Sequence, residues 1–166
     1  MTIERRTFAS DVEHRSAGLN RRLIIGYAYK FRSLSRLMGG FREQILEGAG
    51  AESIRRDDIR ALLNHDANFV LGRNTAGTLK LAEDSTGLHY EIQADERISY
   101  VSDLLIALER GDITHSSFGF RVNAGGQEWA KHEDGFTPLR SINSLTILDV
   151  SPVTYPAYLS SESSAV

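Results

Sequence analysis

Short runs in which apolar and polar residues alternate, each closed by a turn signal, dominate this sequence and constrain its fold most. The segment from Glu83 to Gly87, for example, has the composition of a hairpin turn between two such runs. Alternation with a period of two is typical of strands, so the sequence predicts a sheet-rich domain. We predict strands at residues 23–29, 41–45, 59–64, 78–81, 88–92, 116–122 and 144–150.

The clearest helical pattern covers residues 97–110. Asp95 is predicted to cap its start, and Gly111 suits the left-handed conformation that ends a helix. A shorter helix is predicted over 51–56, which gives an α+β class: a β-rich barrel of mostly antiparallel strands with helices packed outside. The apolar stripe of the longer helix is made by Ile98, Val101, Leu104, Leu105 and Leu108.

Composition limits the classes of function. The 166 residues fit one domain, and the formal net charge of −3 with scattered Lys and Arg predicts no nucleic-acid partner. No cysteine is present, which excludes disulfides and thiol catalysis. No run approaches the ~18 apolar residues of a membrane span, and the N-terminus lacks the apolar core of a signal peptide. We therefore expect a soluble, intracellular domain with no membrane partner.

Two polar segments are predicted to be irregular. Residues 16–22 are expected to be loose, and residues 123–138 are polar and contain glycine, with Trp129 as a candidate anchor. The domain division that we predict is an N-terminal strand and flexible polar segment at 1–22, the main domain at 23–158 and a polar tail at 159–166.

The strand around Ser117 separates an apolar face from a polar one, because side chains alternate along a strand. Its polar face combines a hydroxyl, an imidazole, a guanidinium and a glycine, which fits the wall of a cleft. An exposed strand face with ordinary polar residues is the alternative. The apolar face carries Phe118, Phe120 and Val122, and the polar face carries His115, Ser117, Gly119 and Arg121.

His65 is a candidate base for a serine nucleophile, since a serine hydroxyl needs a base to take its proton at neutral pH. The ring lies in phase with Ala61 and Leu63, so we expect it at the rim of an apolar layer. A structural histidine bonded to a backbone carbonyl is the alternative. His115, two residues before Ser117, is a competing base, although same-face neighbours on a strand lie ~6.5–7 Å apart.

Asp149 is a candidate orienting acid. It lies in phase with Leu145 and Ile147, on a face that is otherwise apolar, where a carboxylate needs a partner. That partner is either His65, as in a serine triad, or an arginine such as Arg73 or Arg121. Asp66 is the weaker candidate, because it follows His65 directly and points to the opposite face.

The remaining motifs argue against bound groups. His14, His89 and His132 have no metal-ligand spacing, and no HExxH, P-loop, GxGxxG or GxSxG pattern is present. We therefore predict neither a metal nor a cofactor.

Several blocks follow one another in an order that resembles a known family. They are IIGYAYKF at 24–31, GFRE at 40–43, RALLNHD at 60–66, VLGR at 70–73, GTL at 77–79, RGDI at 110–113, SFGF at 117–120 and DVSPVTYPAY at 149–158. In this order they resemble the prohead proteases of tailed bacteriophages, which are related to the herpesvirus maturation proteases.

The resemblance implies a serine endopeptidase with a herpesvirus-protease-like barrel, acting inside the procapsid in the host cytoplasm. Its expected substrates are the major capsid protein and the scaffold protein, cleaved at the scaffold or at the scaffold-like arm, with self-cleavage, and a homo-oligomer is a further expectation. By position, Ser117 is implied as nucleophile, His65 as base and Asp149 as the third member. Backbone amides are the expected oxyanion donors, and Arg73, Arg121 and Ser116 are candidate oxyanion or substrate-binding residues.

One departure and two alternatives accompany this interpretation. His115 and Ser116 stand where the family more often has a small residue and a methionine. An inert capsid-assembly or scaffolding domain with the protease fold is the first alternative. A serine esterase acting on small molecules is the second.

Overall fold

A computed structural model describes residues 2–8 and 12–155 of the chain. Within these residues strands far outnumber helices, so the predicted β-rich α+β class is confirmed. The strands are β1 (Glu4–Phe8), β2 (Glu13–Ser16), β3 (Arg21–Lys30), β4 (Arg42–Ile45), β5 (Arg60–Leu63), β6 (Asp66–Arg73), β7 (Leu79–Glu83), β8 (Gly87–Asp95), β9 (His115–Val122), β10 (Gln127–Lys131), β11 (Pro138–Ile142) and β12 (Leu145–Val153). The helices are α1 (Ala51–Arg56), α2 (Ser99–Glu109) and a single 3₁₀ turn (Asn74–Ala76).

The strands form three sheets. The largest has the order β1-β9-β12-β5-β6, the second β2-β3-β8-β7 and the third β10-β11-β4. Pairing is antiparallel except between β12 and β5 and between β11 and β4. In the part of the chain that the structure describes, these sheets do not close into a barrel, so the herpesvirus-like barrel stays a prediction.

The core lies between the largest sheet and the second sheet. Phe118 and Phe120 of β9 are fully buried on the inner face, as the alternation predicts, and their rings stack with centroids 4.6 Å apart. The ring of Tyr29 on β3 packs 4.9 Å from that of Phe118. The apolar face of β9 therefore packs in the core, and the face of the strand that carries Ser117 lies opposite.

Helix α2 buries four members of the predicted stripe, while Ile98 precedes the helix and stays partly exposed. The predicted cap is wrong: no side chain caps the first turn, because the Asp95 carboxylate instead accepts hydrogen bonds from the main chain and side chain of Arg97. Gly111 does follow the helix with a φ of 75°, as predicted.

Both segments predicted to be irregular contain strands. Ser16 ends β2 and Arg21 begins β3, so only a short turn separates these two strands. Residues 123–138 contain β10, whose side chains are all exposed and so lack an apolar alternation that would mark a strand. Trp129 is half-exposed and meets Phe41 edge to face.

No helix in residues 2–8 and 12–155 has both the length and the apolar character needed to cross a membrane. The predicted tail at 159–166 lies outside the described residues.

Candidate active site

Ser117 occupies the middle of β9, with β1 on one side and β12 on the other. Its cross-strand neighbours are Thr7 on β1 and Ser151 on β12. Residues directly opposite one another share a face of a sheet, so these side chains lie on the outer face, away from the phenylalanine core. The Ser117 side chain is nevertheless fully buried, because the neighbouring strand and His65 cover it.

His65 lies in a hairpin turn and not in the strand phase that the sequence suggests. Asn64 and His65 join β5 to β6 and have φ values of 54° and 59°. A two-residue hairpin turn with both central residues at positive φ is a type I′ turn, whose twist matches the right-handed twist of the flanking strands. Asn and Gly are the preferred residues in such turns. A histidine in this conformation is uncommon and costs free energy, a feature that is concentrated at functional sites.

The turn is fastened to the end of β12. The backbone N–H of Asn64 donates to the carbonyl oxygen of Pro152 at 3.0 Å. The Asn64 side chain donates to Thr154 Oγ1 at 3.1 Å and accepts from the Thr154 backbone N–H at 2.8 Å. These bonds fix the position from which the His65 ring projects.

A β-bulge in β12 brings Asp149 to the same face as Ser117. Ile147 lies opposite Phe120, and Asp149 lies opposite Gly119, so Leu148 is an extra residue in the ladder. A bulge changes the phase of the side chains by one residue. Asp149 therefore leaves the core face that Ile147 keeps, in contrast to the phase expected from the sequence.

Gly119 gives the carboxylate its space. A Cβ atom at this position would collide with Asp149 Oδ1. The glycine that the sequence places on the polar face of β9 thus accommodates a side chain of this chain rather than an approaching backbone.

The three residues form a continuous chain of hydrogen bonds. His65 Nδ1 lies 2.5 Å from Asp149 Oδ2, and His65 Nε2 lies 2.7 Å from Ser117 Oγ. Asp149 is buried, and in the part of the chain that the structure describes its ion-pair partner is His65 and not an arginine. Such an arrangement can move a proton from the serine to the imidazole while the carboxylate holds the ring.

A second acceptor contacts the serine from β1. Ser117 Oγ lies 2.9 Å from the carbonyl oxygen of Arg6 and donates its hydrogen to it in this arrangement. This contact has no signal in the sequence, because its acceptor is a backbone carbonyl and not a side chain.

An ionic cluster that crosses two sheets holds β1 in place. Arg6 Nε lies 2.6 Å from Glu43 Oε1, and Arg140 bonds both Glu4 and Glu43 at 2.7 and 2.9 Å. Burial raises the pKa of Glu4, but the hydrogen bond from Arg140 and the charges of Arg6 and Arg140 outweigh it and leave the pKa lowered. The carboxylates in this cluster thus tie the strand that contacts Ser117 to β4 and β11.

An open cleft of about 360 Å³ lies over the hydrogen-bonded chain. Its floor includes His65 and Ser117, and β1 forms one wall while the end of β12 forms the other. The residues that line it are Arg5, Thr7, Asn64, His65, Ser117, Val153, Thr154 and Tyr155.

The other candidates from the sequence lie elsewhere and are not among the described residues that line this cleft. Ser116 is buried on the inner face and bonds the Tyr90 hydroxyl at 2.5 Å. Arg73 pairs with Asp58 at 2.6 Å. Arg121 is half-buried, and its Nε has no hydrogen-bond partner among the described residues.

The two residues considered as weaker alternatives also have other contacts. His115 Nδ1 lies 3.0 Å from Thr114 Oγ1, and the Asp66 carboxylate accepts hydrogen bonds from Asn68. No group of three or more His, Asp or Glu residues gathers in the geometry of a metal site within residues 2–8 and 12–155.

Comparison with known proteins gives one match. The model of the family described as caudovirus prohead serine protease covers residues 10–166, nearly the whole chain, including Ser117, His65 and Asp149. Searches of curated proteins and of solved structures gave no significant match. This family has a role in phage capsid maturation, and its name implies serine peptidase activity. The resemblance noted in the sequence is confirmed: the chain belongs to the caudovirus prohead serine protease family.

Proposed function

We propose that this protein is a serine endopeptidase that cleaves the scaffold, the scaffold-like arm of the major capsid protein, or both, inside the procapsid, and that it also cleaves itself. The observation that carries the proposal is the chain from Ser117 Oγ through the His65 ring to Asp149 Oδ2, with contacts of 2.7 and 2.5 Å. Family membership supplies the capsid context.

In the proposed reaction, Ser117 Oγ attacks the carbonyl carbon of the scissile peptide bond while His65 Nε2 takes the hydroxyl proton. The C–N bond then breaks as His65 returns that proton to the leaving amine, which leaves an acyl group on Ser117. Water hydrolyses the ester by the same proton transfers. Asp149 holds the Nδ1–H of His65 throughout, so that Nε2 faces the serine.

Backbone amides are the proposed donors to the oxyanion, and loss of one such donor typically costs about 100- to 1000-fold in rate. Arg73 is a less suitable donor, because its guanidinium would first have to leave Asp58. Arg121 and Ser116 stay proposals of lower rank, since neither lines the cleft among the described residues.

Labelling with a fluorophosphonate probe tests the proposed nucleophile. The purified protein is treated with the probe, and the adduct is located by peptide mass spectrometry beside Ser117→Ala and His65→Ala variants. We expect one adduct on Ser117 that requires His65. Labelling of Ser117 that is equally fast in the His65 variant would contradict the proposed base.

A capsid-assembly domain with little or no protease activity is the second candidate. The observation that favours it is the complete burial of Ser117, whose hydroxyl is bonded to the Arg6 carbonyl. Cleavage of capsid protein in assembled proheads by the wild type but not by Ser117→Ala would exclude it. Normal assembly in both, with no cleavage in either, would establish it.

A further inference from the structure

Ser151 contacts two members of the candidate triad from a fully buried position. Its hydroxyl donates a hydrogen bond to Asp149 Oδ2 at 2.8 Å and accepts one from the backbone N–H of His65 at 3.3 Å. The hydroxyl therefore uses both its donor and one acceptor position inside the site. Ser151 is not among the residues predicted from the sequence, although its position two residues after Asp149 places it on the same strand face.

The contact with Asp149 fixes the rotation of its carboxylate. Oδ2 accepts two hydrogen bonds, one from Ser151 and one from His65 Nδ1, while Oδ1 is turned toward Gly119. A buried carboxylate needs such donors, because an unsatisfied charge is costly to bury. In the part of the chain that the structure describes, no arginine or lysine pairs with Asp149, so these two hydrogen bonds compensate for the burial of its charge.

The contact with His65 acts on the backbone of the base. His65 has a positive φ, a conformation in which a non-glycine residue is held by its surroundings. Its N–H is bonded to the same hydroxyl that holds the carboxylate. One oxygen atom thus links the position of the base to the orientation of the acid.

We propose that Ser151 is a positioning residue of this active site, which holds Asp149 and the His65 turn in the geometry that proton transfer from Ser117 requires. The proposal rests on the proposed function for its catalytic consequence. Ser151 acts through Asp149 and His65, and has no part in bond making.

Fluorophosphonate labelling of Ser151→Ala gives the kinetic test. In this reaction the Ser117 Oγ–P bond forms, fluoride leaves and His65 takes the proton, so the maximal inactivation rate reports proton transfer. A hydrogen bond to a charged group is worth roughly 10- to 100-fold, and we expect that loss in the maximal rate with the half-saturating probe concentration unchanged within about twofold.

The pH profile of labelling gives a second readout. Without the Ser151 donor, the Asp149 carboxylate interacts more strongly with the positively charged ring that forms during the reaction, so the acidic limb of the profile should move to higher pH. Arg5 lines the same cleft as His65 and Asp66 follows His65 at the start of β6, and neither is changed by this substitution.

A proton NMR signal separates failure of this inference from failure of the proposed function. The Nδ1–H of His65 in its short bond to Asp149 should give a far-downfield resonance, and Ser151→Ala should shift or broaden it whether or not the protein is an enzyme. Wild type that shows the resonance but is never labelled would overturn the proposed function alone. Unchanged labelling, pH profile and resonance in Ser151→Ala would overturn the role of Ser151.

Two further variants guard against simple loss of folding. Ser144→Ala removes a partly buried hydrogen bond from Asn123 at the other end of β12 and should leave labelling unchanged. Ser151→Cys keeps a weak donor of similar shape and should lie between wild type and alanine. Equal losses in the cysteine and alanine variants, with unfolding in both, would show that Ser151 serves only the fold.

Discussion

The Arg6 carbonyl oxygen and His65 Nε2 both lie within hydrogen-bonding distance of Ser117 Oγ, at 2.9 and 2.7 Å. A serine hydroxyl has one hydrogen, so it cannot donate to both acceptors fully at once. The bond to the Arg6 carbonyl therefore competes with the bond to His65 Nε2 that proton transfer from the serine requires.

Loosening β1 should therefore activate the serine. Glu4→Ala removes the carboxylate that bonds both Arg6 and Arg140 at the edge of the ionic cluster. A hydrogen bond of ordinary strength is worth about 1 kcal/mol, so release of the hydroxyl from Arg6 should speed fluorophosphonate labelling about fivefold. Labelling kinetics on the folded variant measure this.

Glu13→Ala is the matched control for this variant, because Glu13 forms an exposed ion pair with Arg15 on β2. Its labelling rate should equal that of wild type. Slower labelling in Glu4→Ala would show that β1 holds the serine ready to react and does not restrain it.

The sequence predicted the elements that are defined by side-chain patterns. The apolar stripe of α2, the β7–β8 hairpin and the inward phenylalanines of β9 all have periodic signals, because each packs one face against the core. Edge strands such as β1 and β10 lack this signal. Their positions depend on partners distant in sequence, including Glu43 and Arg140 for β1.

The site illustrates the same distinction. The residue types of Ser117, His65 and Asp149 suggested serine chemistry, but their faces did not follow from strand phase alone. The bulge at Leu148 reverses the phase of Asp149, and the left-handed turn removes His65 from the strand. Neither feature contains a glycine, the residue that most often marks such backbone geometry in a sequence.

The ionic cluster should make stability depend on pH. The folded-state pKa of Glu4 is lowered, so the unfolded chain binds more protons in the acidic range and unfolding is favoured there. The stabilisation is complete above the ordinary glutamate pKa of 4.5 and is lost as pH falls through the lowered folded-state pKa. In urea unfolding experiments, the free energy of unfolding should fall less between neutral pH and this acidic range for Glu4→Gln than for wild type. Parallel curves would show that Glu4 adds nothing.

The clamp between Asn64 and Thr154 should matter more for activity than for stability. Asn64→Gly removes two hydrogen bonds to Thr154, but glycine relieves about 1 kcal/mol of cost at a positive φ. The free energy of unfolding should change by no more than about 1 kcal/mol. Labelling of Ser117 should slow about 10- to 100-fold, since small displacements of a catalytic group have large effects.

Asn20→Gly provides the comparison, because Asn20 also has a positive φ, 57°, in a turn remote from Ser117. This variant should keep wild-type labelling. A slowed Asn20 variant, or an Asn64 variant with normal labelling, would show that the bonds between Asn64 and Thr154 do not position His65 for catalysis.

Gly119 should not tolerate even alanine, because its missing side chain leaves room for Asp149. The added methyl of Gly119→Ala would meet Asp149 Oδ1 and force the carboxylate away from His65. Overpacking of this kind costs about 1–3 kcal/mol in stability, and displacement of the acid should reduce labelling about 100-fold or more.

Gly135→Ala is the control for this variant. Gly135 has a φ of 75° and open space around its Cβ position, so alanine strains the backbone without touching the site. We expect the control to lose about 1 kcal/mol of stability and to keep wild-type activity. Comparable activity in the two variants would mean that the Asp149 carboxylate can leave His65 without consequence, and that the dyad of Ser117 and His65 suffices.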